Sequence, residues 1–148
     1  MKTEPTTPTL RIILEHPPAG IDFALQQGHG NAYQLSQKQR SGGGDLKFEF
    51  TVTVRIGKDQ QPNFTGDFVQ GPVGDRFVYI NIGTFAGQLN TQWSRRLKIP
   101  LSGISWEMLR AGKVIAANVP GTSKNGEPTC AYSWRKHAEG WDWRLATS

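Results

Sequence analysis

The chain has 148 residues, 36% of them hydrophobic and 20% charged, with a formal net charge of +5. That length suits one domain, and an apolar share this large with so small a net charge excludes a disordered chain. The single cysteine, Cys130, excludes an internal disulfide framework and fits a reducing, cytoplasmic compartment, and no apolar run approaches the ~18 residues of a membrane-spanning helix, so no membrane partner is expected.

Residues 1–9 are polar and rich in Thr and Pro, without the apolar core of a secretory signal, and read as a flexible tail ahead of a single β-rich domain over residues 10–148. Residues 10–15 are apolar and β-branched, and Pro17-Pro18 stops them. Residues 21–26 alternate weakly, with Ile21, Phe23 and Leu25 set against Asp22, Ala24 and Gln26. Residues 33–40 are polar and read as an edge strand, with helix as the alternative because Gln, Leu, Lys and Arg favour it. The strongest periodic signal follows over residues 46–56, where Leu46, Phe48, Phe50, Val52, Val54 and Ile56 alternate with Lys47, Glu49, Thr51, Thr53 and Arg55. Period two means one buried and one wet face. At roughly 3.3 Å per residue this strand would span about 36 Å, which calls for a bend or strong twist.

Residues 66–70 read as a short strand ending at Gly71-Pro72. Residues 76–82 are apolar on both faces and read as a central strand. Residues 83–93 form the longest stretch between strong strands and read as a functional loop. Residues 95–101 alternate Leu97, Ile99 and Leu101 with Arg96, Lys98 and Pro100. The one helix signal is residues 106–111, with Ser105 or Ser102 as N-cap, Glu107 in the first turn and Gly112 as the stop. Residues 114–119, 129–135 and 141–145 complete the strands. Turn formers gather at residues 17–20, 41–45, 71–75 and 124–127. Without long helices a parallel βαβ topology is disfavoured, so the expected fold is mostly β: an antiparallel β-barrel or β-sandwich with one short α-helix.

Charge is uneven along the chain. Residues 1–74 carry seven Lys/Arg and seven Asp/Glu, whereas residues 75–148 carry ten and five, so the whole net charge lies in the second half. A basic half attracts anions, although it also simply aids solubility. Arg96 and Lys98 stand two apart and share a strand face, and Arg76 opens a strand that otherwise reads as buried. Guanidinium groups suit phosphate and carboxylate because they offer a planar fork of donors. Gly42-Gly43-Gly44 lacks the Gly-Lys-Ser/Thr and helix of a phosphate loop, and reads first as a hairpin connection. His16, His29 and His137 have no metal-ligand spacing, so no metal is expected. All five tryptophans, Trp93, Trp106, Trp134, Trp141 and Trp143, fall in the basic half, where they serve as core or cup residues or as base-stacking platforms.

Five blocks resemble those of a bacterial family of unknown function: Asp22-Phe23-x-Leu25-Gln26, Gln39-Arg40-Ser41-Gly42-Gly43-Gly44-Asp45-Leu46, Phe68-Val69-Gln70-Gly71-Pro72, Arg76-Phe77-Val78-Tyr79-Ile80 and Arg95-Arg96-Leu97-Lys98-Ile99-Pro100-Leu101. The resemblance covers residue 10 to about residue 130. It implies a small bacterial cytoplasmic protein and carries over no activity, cofactor or catalytic residue.

The leading expectation is therefore a non-enzymatic binding module for a small anionic or polar ligand or an acidic protein partner, without a cofactor. Arg76, Arg96 and Lys98 would supply the charge, and Ser41, Gly43, Asp45, Tyr79 and Trp93 the lining. One alternative is a small isomerase, lyase or hydrolase with Asp22 or Asp45 as base and Arg76 as oxyanion stabiliser. Another, less favoured, is single-stranded nucleic-acid binding.

Overall fold

Apolar and polar residues alternate over 46–56 because one side of that ribbon closes a core, and the computed structural model shows which one. It describes residues 6–17, 19–20, 22–28, 34–82, 95–120 and 143–146. Of these, 57% lie in strands, so the fold is mostly β. In chain order the elements are β1 (Thr9–Glu15), β2 (Asp22–Gln27), β3 (Gln34–Arg40), β4 (Leu46–Thr51), β5 (Thr53–Ile56), β6 (Pro62–Thr65), β7 (Phe77–Ile82), β8 (Arg95–Pro100), α1 (Trp106–Ala111), β9 (Val114–Pro120) and β10 (Trp143–Ala146). One four-stranded sheet has the order β10-β9-β1-β4, a second the order β3-β2-β7-β8, and β5-β6 form a hairpin.

Leu10, Ile12 and Leu14 of β1, Leu46, Phe48 and Phe50 of β4, and Ile115, Ala117 and Val119 of β9 join one buried cluster with Phe23, Leu25, Val78, Ile80, Leu97 and Ile99 of the second sheet. The apolar faces of the two sheets thus share a core, as in a sandwich; no closed barrel forms among the described strands. Each large side chain removed from water here contributes about 1.5–3 kcal/mol.

The zigzag over 46–56 is real, but it is not one strand. Leu46, Phe48, Phe50, Val52 and Val54 are buried in turn, yet strand geometry lapses at Val52. One edge of the ribbon runs along the N-terminal segment throughout: β1 pairs with β4, and beyond it the Val52 and Val54 N–H groups donate to the Pro8 and Thr6 carbonyls (3.3 and 2.8 Å). Of the expected tail over residues 1–9, Thr6 bridges to Val54 and Thr9 belongs to β1, while residues 1–5 lie outside the described residues. The other edge changes cover. Beside β5 it is the backbone of β6, but beside β4 it is glutamine side chains from β3. Gln37 bonds both backbone groups of Glu49, donating Nε2–H to its carbonyl (2.7 Å) and accepting its N–H (3.2 Å), while Gln39 donates to the Lys47 carbonyl (2.8 Å). Side-chain amides there take the place of ladder rungs and cover an edge that would otherwise pair with another chain.

Three further expectations change. Residues 66–70 form a turn with a single bridge from Gln70 to Phe77, and the strand lies just before, as β6. Pro62 and Asn63 conceal it, yet a proline is tolerated on an edge strand. β2 buries both faces, Ala24 and Gln26 included; Gln26 accepts from Asn81 Nδ2 (3.0 Å), so neither buried amide is stranded. β1 and β9 pair in parallel although the other described pairings are antiparallel. A crossover helix is not needed, because the second sheet lies between them in the chain and brings it back. The predicted strand 129–135 and loop 83–93 lie outside the described residues.

The helix follows its local signals closely. Ser105, not Ser102, is the N-cap and accepts the Met108 N–H (3.2 Å); Gly112 ends the helix with φ +71°. No helix among the described residues is long and apolar enough to cross a membrane.

Candidate functional site: a cleft around Arg76

The chain turns tightly at residues 57–61 because Gly57 and Gln61 bond across it (2.8 Å) and Gln60 donates back to Gly57 (3.0 Å). Gln60 takes φ +66°, a left-handed conformation that a non-glycine residue seldom adopts. The indole N–H of Trp106 on α1 donates to the Gln60 carbonyl (2.8 Å) and pins the turn to the helix. Asp59, at its tip, accepts the Gln61 N–H with Oδ1 (3.0 Å).

A second turn faces the first. Gln70 and Phe77 exchange backbone bonds (2.7 and 3.0 Å) and close the loop 71–76. Gly71 has φ +89°, and a Cβ there would lie 2.5 Å from the Asp75 carbonyl and 2.6 Å from the Phe77 ring, so only glycine fits. Its carbonyl accepts from Arg76 Nη1, and Asn63 Oδ1 lies 3.4 Å from Arg76 Nε. The Arg76 carbonyl in turn accepts the Leu101 N–H (3.0 Å), which brings in the turn after β8.

Between these segments lies a cleft of about 150 Å³. Buried Phe64, Leu101 and Ile104 give it an apolar floor, and Asp59, Asn63, Arg76 and Ser102 supply polar walls. Among the described residues ion pairs link Arg11 to Glu49 and Arg40 to Asp22, the His16 ring lies 3.7 Å from Asp45, and none of these reaches Arg76. The half-buried guanidinium is oriented by carbonyl and amide oxygens alone and, among the described residues, has no ion pair and no partner on Nη2.

The expected lining does not converge here. Register places Arg96 opposite Asn81 and Lys98 opposite Tyr79, on the sheet face opposite buried Val78 and Ile80. Arg76, which precedes Phe77, continues the Val78–Ile80 side instead, at the far end of β7 from Asn81. One pocket does not serve Arg76 and the Arg96–Lys98 pair. The Lys98 ammonium lies 4.5 Å above the Phe77 ring, which packs edge-on against Tyr79 (4.8 Å between centroids). The Arg96 side chain and all of Trp93 lie outside the described residues. Ser41, Gly43 and Asp45 are elsewhere again. The Ser41 carbonyl accepts the Gly20 N–H (2.9 Å), and His16 bonds Asp45 through its backbone N–H (3.0 Å) and reaches the Gly43 carbonyl with Nδ1 (3.1 Å). Asp22 receives two bonds from Arg40 (2.8 and 3.1 Å). Both carboxylates proposed as bases are thus held in pairs.

A family model matches residues 9–144, nearly the whole chain. The chain belongs to DUF5990, a family of unknown function. No curated protein and no solved structure matches it. For this DUF5990 member the cleft geometry is therefore the guide to chemistry. Within it, Asp59 and Asn63 carry no signal of a site in the sequence, and Ser102 reads there only as a candidate N-cap. Asp59 lies in Lys58-Asp59-Gln60-Gln61-Pro62, which reads as ordinary turn chemistry, and only the pinning of that turn to α1 turns it toward a purpose. Among the described residues no group of His, Cys, Asp or Glu gathers to hold a metal.

Proposed function

We propose that this protein is a non-enzymatic binding module for a small anionic or polar ligand, with Arg76 as the anchor. The observation that carries the reading is a half-buried guanidinium on a cleft wall, fixed by Gly71 and Asn63 and lacking a carboxylate partner among the described residues. Such a cation is preorganised for an oxyanion and loses little freedom on binding it. The cleft is smaller than the ~300–1,000 Å³ that drug-sized ligands occupy. It suits a group on the scale of phosphate, a short carboxylate or one acidic side chain of a partner. A bacterial, cytoplasmic setting belongs to the same reading, supported by the lone Cys130 and the block resemblance.

The two bonds from Arg40 to Asp22, and the separation of Asp22 and Asp45 from the Arg76 cleft, weigh against the enzyme alternative. Trp143 is buried and Trp106 packs partly buried against the core, which weighs against their use as stacking platforms for nucleic acid. A second reading, an acidic protein partner on the outer face of β7–β8, is favoured by Lys98 over Phe77 beside Tyr79.

The test is titration of the isotope-labelled chain with acetate and inorganic phosphate, followed by amide shifts. Saturable shifts confined to residues 57–64, 71–76 and 101–104, and lost in Arg76→Gln, are expected. Saturation elsewhere, or no saturation with either anion, overturns the assignment.

A further inference from the structure

We infer that the Arg76 cleft takes a small zwitterion of the amino-acid kind, its anionic group on Arg76 and its ammonium at Asp59. This deepens the reading above and rests on it. Arg76 and Asp59 line the same cleft, yet they form no ion pair with each other, so no N···O distance between them is within 4.0 Å. Each is only partly spent. Arg76 uses Nη1 on Gly71 and aims Nε at Asn63, and Nη2 has no partner among the described residues. Asp59 uses Oδ1 on the Gln61 N–H, and Oδ2 has none there. Opposite charges with unspent hydrogen-bonding capacity therefore bound one void. A bare anion satisfies Arg76 and meets repulsion from Asp59; a bare ammonium does the reverse. A ligand carrying both signs satisfies both walls at once.

Size agrees with this. A volume of about 150 Å³ lies well below the ~300–1,000 Å³ of drug-sized ligand sites and leaves room for a small zwitterion such as glycine or β-alanine. Asp59 is also held in place beforehand. Its turn keeps Gln60 at φ +66° through bonds from Gln60 to Gly57 and from Trp106 to Gln60, so the acid stands at the lip without waiting for ligand.

The experiment titrates the full chain with acetate, methylammonium, glycine and β-alanine, for the wild type, Asp59→Asn, Arg76→Gln and Arg76→Lys. Because Asp59 is exposed, its share is that of a surface ion pair, and one of the two amino acids should bind about threefold to fivefold more tightly than acetate. Asp59→Asn should erase that preference and leave acetate affinity equal or higher. Arg76→Lys, which keeps the charge, should retain weakened binding where Arg76→Gln loses it. Acetate matching both amino acids, or a preference that survives Asp59→Asn, overturns the zwitterion inference and leaves the anion reading standing. Absence of any Arg76-dependent binding overturns both.

Discussion

The two ends of β7 place similar side chains in opposite circumstances. Near Ile82, the strand neighbours the start of β2, where Asp22 meets Arg40, the Ser41 carbonyl holds Gly20, and Asp45 meets His16 across the 41–45 turn. Near Phe77, Arg76 and Asp59 stand on the walls of a cleft and do not pair. At the first end, charge is consumed in fixing chain reversals. At the second, turns are fixed by backbone bonds, a tight glycine and an indole N–H, so the charges are left over. The number of charges is a poor guide to a site; whether the fold has already used them is a better one.

The largest effect should come from Gly71→Ala, which attacks the open end at its hinge. Its methyl would meet backbone and ring atoms at a positive φ, so a loss of about 3 kcal/mol is expected, read from the urea midpoint, together with loss of anion binding. Trp106→Phe should cost about 1 kcal/mol by removing the donor to Gln60. It should also weaken amino-acid binding more than acetate binding, because the lip rather than the wall is released. Asp22→Asn tests the paired end. A stability loss of at most about 1 kcal/mol, shrinking in high salt, is expected with ligand titrations unchanged. Arg96→Glu should have the smallest effect: acetate affinity at the cleft should stay within about twofold, since the position lies on the other sheet face and a distant charge is screened. A larger drop would mean that the two basic regions act together.

Local chemistry made much of the fold legible. Ser105, Glu107 and Gly112 delimit α1 because caps act within one turn, and residues 76–82 read as central because both faces are apolar. Long-range pairing was not legible in the same way. Alternation runs through Val52 since burial continues there, so nothing in the pattern marks where cover passes from Gln37 and Gln39 to β6. The parallel β1–β9 pair joins segments with no local relation. For the site, Arg76 was visible as a charge opening an apolar strand. Its separation from Arg96 depends on strand register, and the role of Asp59 depends on a turn held by a tryptophan nearly fifty positions later.

That parallel pair has a consequence on the ribosome. β1 gains β4 as a neighbour early, but its other neighbour, Val114–Pro120, is encoded about a hundred residues downstream, roughly 5–20 s of synthesis at ~5–20 residues per second. Through that interval nascent β1, which carries Leu10, Ile12 and Leu14, has one open flank, and the first sheet is complete only once Trp143–Ala146 has also been made.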